Sequence, residues 1–165
     1  MFSSFSSLPS IHPFLVHFPI ALFTMALALD LSLVARARLL WIDRAALLGY
    51  AASAFSSLAT ALSGQLSADA LMPSLDEKTV AVVSSHGDWA FLTVVLLFLV
   101  FLLRVEATWR DRGSPRPRAN RARLLALPLA LVAQWSLLTT AGRGGELVYR
   151  YRVGVGAASG PSEER

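Results

Sequence analysis

Four long apolar stretches dominate the chain, over about residues 13–35, 45–64, 86–104 and 122–141. Each holds roughly 19 to 23 residues, which at ~1.5 Å per residue crosses a hydrocarbon core of about 30 Å. They are joined by an outer loop at 65–85 and a basic loop at 105–121, and a tail follows at 142–165. In hydrocarbon every backbone group must be satisfied within its own segment, so the stretches read as helices. The expected architecture is an all-α integral membrane protein, a four-transmembrane-helix up-down bundle forming a single membrane domain over 1–165. Two smaller patterns add detail. Leu147, Tyr149, Tyr151, Val153 and Val155 alternate with mostly polar or small residues, and that period of two predicts a short extended segment on the outer face. Ser74 stands three residues before Glu77, a capping-box spacing that predicts a helix start leading into the third span.

Composition agrees with a membrane setting. Hydrophobic residues make up 55% of the chain and charged ones 16%, against roughly 25% charged in a soluble domain. The absence of cysteine excludes disulfides, thiolate metal sites and iron–sulfur clusters. A net charge of +4 would point to nucleic acid in a soluble chain, but the placement of the charges accounts for it otherwise. In an up-down bundle Arg36, Arg38, Arg44, Arg104, Arg110, Arg112, Arg116, Arg118, Arg121 and Arg123 fall on one side. Lys78, Arg143, Arg150, Arg152 and Arg165 fall on the other. The positive-inside rule makes the first side cytoplasmic and both termini periplasmic. No Lys or Arg precedes the first apolar run, whereas Arg36 and Arg38 follow it; it therefore reads as a retained anchor and not a cleaved leader. The lipid bilayer is thus an expected partner and nucleic acid is not.

The second stretch carries two stripes of small residues, Gly49, Ser53, Ser57 and Ala61, and Ala52, Ser56, Thr60 and Gly64. Such stripes let helix backbones approach closely, within the bundle or against a partner protein. Asp30 lies about five residues from the cytoplasmic end of its span, within reach of Arg36, Arg38 or Arg44. The remaining polar chemistry gathers at the outer side. His12 and His17 open the first span and His86 opens the third, with Asp88 beside it. Asp69 follows the second span, and Arg143, Gly144, Gly145 and Glu146 follow the fourth. Three readings compete for this group. His17 and His86 could be axial ligands of a b-type haem, with Arg143 on a propionate. His12, His17 and His86 with Asp69 or Asp88 have the ligand types of a zinc or copper site. Alternatively, the group is structural and closes the outer end of the bundle. No nucleophile elbow or Ser–His–acid order is present, and no enzymatic activity is expected.

The run His12-Pro13-Phe14-Leu15-Val16-His17-Phe18-Pro19-Ile20 resembles the opening signature of a bacterial membrane family, domain of unknown function 2231. Gly144-Gly145-Glu146-Leu147-Val148-Tyr149, followed by Val153-Gly154-Val155, resembles its closing signature. Gly64, Asp69 and His86 fall where that family carries similar residues, so the resemblance covers about residues 11–155. Tyr151 and Arg152 stand where relatives often carry a His-Gly pair. The resemblance implies four membrane helices, and the fusion of some relatives to periplasmic cytochrome c domains implies an electron-transport setting. Together these readings describe an accessory or structural subunit of a larger bacterial membrane complex, respiratory or photosynthetic. It would lie in the cytoplasmic or intracytoplasmic membrane, with other subunits as partners. The alternatives are the haem b carrier and a small transporter, for which the sequence offers no polar pathway.

Overall fold

The computed structural model describes residues 8–35, 40–112 and 121–155. Five α-helices account for most of them: α1 (Leu8–Leu15), α2 (His17–Ala35), α3 (Leu40–Leu71), α4 (Glu77–Arg110) and α5 (Arg121–Tyr149). A one-turn 3-10 helix, Met72–Ser74, joins α3 to α4. Four segments are long and apolar enough to cross a membrane: Ile11–Leu33, Leu40–Ser74, Glu77–Arg110 and Arg121–Tyr149. The expected all-helical four-span bundle is thus what forms. The most extensive interfaces are α4 with α5 and α2 with α3. Large side chains point outward, as Leu48 (69% exposed) and Phe91 (73% exposed) do. An apolar exterior of this extent suits lipid tails and not water.

Small residues set the interhelical distances inside. A Cβ on Gly49 of α3 would stand 2.9 Å from the Cβ of Ala26 on α2. Ser53 donates to the Pro19 carbonyl at 3.0 Å, tying α3 to α2 again. Gly49, Ser53 and Ser57 are buried within the bundle, while Ala61 is half-buried. Phe23 and Tyr50 meet edge to face at 5.1 Å, and Leu97, Val100, Ala130 and Ala133 complete the central core.

Proline divides the first span. Pro19 has no N–H, so the Leu15 carbonyl lacks its helical donor. The helix breaks at Val16, and the Thr60 hydroxyl of α3, which lies 2.9 Å from its own Ser56 carbonyl, shares its proton with Leu15 O at 3.2 Å. Pro19 therefore ends α1 and occupies the first turn of α2, where a missing N–H costs nothing.

Three local expectations are revised. The extended segment over Leu147 to Val155 does not form, and no strand occurs among the described residues. Helix α5 runs to Tyr149, after which the N–H groups of Tyr151 and Val153 fold back onto the carbonyls of Glu146 and Leu147. Arg152 turns the chain with φ 52°. The cap of α4 is Asp76 and not Ser74. Asp76 accepts from the Thr79 amide at 3.0 Å and from its hydroxyl at 2.8 Å, whereas the Ser74 hydroxyl donates to Leu71 O. The outer loop at 65–85 is helical almost throughout, because α3 and α4 both extend past the apolar core.

Candidate functional site at the histidine-bearing end

Glycine placement explains where the imidazoles sit. A Cβ on Gly64 of α3 would lie 2.8 Å from Cε1 of His12, so the α1 histidine rests directly on the α3 backbone. His12 Nδ1 lies 3.1 Å from the Thr60 carbonyl and 3.0 Å from the Ser63 hydroxyl. A carbonyl can only accept, which assigns the proton to Nδ1 and leaves the Nε2 lone pair unused by this contact. His86 of α4 rests in the same way on α5: a Cβ on Gly144 would lie 3.2 Å from its Cε1. Its Nδ1 is buried and makes no hydrogen bond of ordinary geometry, although the Thr140 backbone is beside the ring. His12 and Arg143 both lie within electrostatic range of the His86 ring. Arg143 donates to the Ser85 hydroxyl at 2.7 Å, and its guanidinium lies 5.4 Å from the Trp89 ring centroid. Deeper in the bundle, the Thr93 hydroxyl is 2.8 Å from those of both Ser136 and Thr140.

The structure packs His86 on Gly144 with Arg143 bonded to the adjacent Ser85, sets His12 on Gly64 at the same end of the bundle, and leaves other candidates apart. His17 is exposed, with Nδ1 3.3 Å from the Phe14 carbonyl of its own turn. Asp69 is exposed and accepts from Gln65 at 2.8 Å; Asp88 is exposed. Among the described residues no group of three or more His, Asp or Glu side chains is placed to hold a metal ion. A Cβ on Gly145 would reach only the Tyr149 ring, at 4.0 Å, and Tyr149 itself is exposed.

A second polar cluster, which the sequence showed only through Asp30, lies at the arginine-rich end. Asp30 is paired with Arg104 of α4 at 2.9 Å. Arg36 and Arg38 lie outside the described residues. The Nη2 of Arg104 also donates to Asp43 of α3 at 2.8 Å. Arg123 of α5 pairs with the same Asp43 carboxylate and, at 3.0 Å, with Asp111. Arg104 and Asp43 are almost completely buried. This chain of carboxylates and guanidiniums links α2, α3, α4 and α5. An acid at the start of the second apolar run and an arginine at the end of the third were the available signals, but each reads equally well as an interfacial charge.

No curated protein and no solved structure matches the chain. The family model described as "Predicted membrane protein (DUF2231)" matches residues 8–157, a range that takes in all four spans, the His12 motif, His86 and the Gly144 motif. The chain belongs to that family.

Proposed function

We propose that this membrane protein is a non-enzymatic accessory subunit of a larger bacterial membrane assembly. An electron-transport assembly is the setting we favour, with both termini on the periplasmic side. One observation carries the reading: several polar side chains inside the bundle are engaged with one another across helices. Arg104 holds Asp30 and Asp43, Thr93 holds Ser136 and Thr140, and His12 holds Ser63. Cross-helix polar contacts of this kind fix helix positions and so give a partner a defined surface. The core residues Phe23, Leu97 and Val100 form an apolar layer that a transport route would have to cross.

A second reading, the b-type haem carrier, draws support from two imidazoles, on α1 and α4, at the same end of the bundle. In place of the His17–His86 pair expected from the sequence, this reading takes His12 Nε2 with His86, because His17 is exposed. Bound haem would supply one-electron chemistry, and the two histidines would hold its iron. The visible spectrum of the purified protein separates the readings. A Soret band lost in His12→Ala and His86→Ala, but kept in His17→Ala, supports the carrier. A colourless protein that co-purifies at fixed stoichiometry with other membrane subunits supports the accessory role. Labelling of Ser74→Cys by an impermeant thiol reagent from the periplasmic side tests the orientation; protection there overturns it.

A further inference from the structure

Where α4 ends and α5 begins, a crevice of about 540 Å³ is lined by the apolar Leu103, Ala122 and Leu125 on one part and by Glu106, Arg110 and Arg121 on the other. We propose that this crevice binds the phosphodiester headgroup of an anionic phospholipid, with an acyl chain lying along the apolar part. The donors are free to do so. Glu106 accepts from Arg110 Nε at 2.6 Å, which leaves both terminal nitrogens of Arg110 without a protein partner among the described residues. Arg121 makes no ion pair or hydrogen bond there either. Two guanidiniums and one carboxylate leave the crevice with a net charge of +1, the complement of a phosphodiester's single negative charge.

Position reinforces the match. Arg121 stands in the first turn of α5, where the helix dipole adds to the positive potential. Trp109 is exposed nearby, with Arg112 stacked 3.3 Å from its ring centroid, a pairing suited to the headgroup layer. Basic crevices between membrane helices are a general means of holding anionic lipid heads. A zwitterionic lipid could use the apolar part but would bring an ammonium group up to the arginines. Free phosphate could use the arginines but not the apolar part.

Native mass spectrometry of the detergent-solubilised full chain with equimolar phosphatidylglycerol and phosphatidylcholine tests the proposal. Wild type should retain phosphatidylglycerol preferentially. The Arg110→Gln/Arg121→Gln variant should lose about thirtyfold of that preference, given the contribution of each arginine near an anionic surface. Both side chains are exposed, and circular dichroism checks that the variant keeps its helices. Equal retention of the two lipids by wild type, or an unchanged preference in the variant, overturns the proposal. So does displacement of the lipid by an equal concentration of inorganic phosphate, which would make this a small-anion site.

Discussion

Replacing Arg104 by methionine removes a cation but keeps most of the side-chain volume. Arg104 is fully buried, and its Nη2 alone contacts Asp30 at 2.9 Å and Asp43 at 2.8 Å. In Arg104→Met, Asp43 keeps Arg123, but Asp30 loses its only ion-pair partner among the described residues. Removing one member of a buried pair costs about 3–5 kcal/mol, because the partner is left charged and out of water. The same reasoning predicts that Asp30→Asn alone costs about 1 kcal/mol, since the amide oxygen can still accept from Arg104. The double variant Arg104→Met/Asp30→Asn removes the stranded charge and should recover about half of the single variant's loss. Equilibrium unfolding in mixed micelles, followed by helical circular dichroism, measures all three. Wild-type stability in Arg104→Met, or no rescue by Asp30→Asn, would refute a stranded charge at Asp30.

Gly49→Ala should force α2 and α3 apart, since the new methyl would lie 2.9 Å from Ala26 Cβ and 3.4 Å from Leu22 O. Overpacking of this kind costs about 1–3 kcal/mol, readable in the same unfolding titration. Thr60→Val removes the shared donor to the Leu15 carbonyl and should cost about 1 kcal/mol. Adding Pro19→Ala restores that carbonyl's helical donor, so the two substitutions should be less than additive. Asp76 has its pKa lowered by the hydrogen bonds from the Thr79 side chain and amide. Its capping contribution is therefore complete above the ordinary carboxylate range and is lost as pH falls through the lowered value. Amide exchange at the start of α4, corrected for intrinsic rates, should stay constant from neutral pH down to that range and accelerate only below it. Asp76→Asn should remove the pH dependence.

The four spans were legible because hydropathy over some twenty residues is a local property that the bilayer reads directly. Counting crossings puts His12, His17, His86 and Arg143 toward one end of the bundle. It does not choose which histidine accompanies His86. His12 and His17 are both near the start of the first span, and the choice depends on the break at Val16 and on two glycines, Gly64 and Gly144, that make room for a ring. Matching the depth of Gly64 in the second span to that of His12 in the first was the available signal. The partner of Asp30 was hidden for a different reason. Arg104 is 74 positions away, and an arginine closing an apolar run carries the same local signature whether it turns out to the headgroups or in to a carboxylate. The tail misled because a two-residue alternation over so few positions does not exclude one more turn of helix, and α5 supplies that turn.

Helix length has a consequence for how the molecule rides in its bilayer. Helix α4 has 34 residues, about 50 Å at the usual rise, so roughly 20 Å lies beyond a 30 Å slab. A thicker or thinner membrane can therefore cover more or less of α4 without stretching it. Helix ends cannot fix the waterline. Arg104 cannot fix it either, because its guanidinium is turned inward to Asp30 and Asp43. The ballast is the outward-facing set of Trp41, Trp109, Arg110 and Arg121, and removing it should let the whole bundle drift along the membrane normal while its interior stays intact.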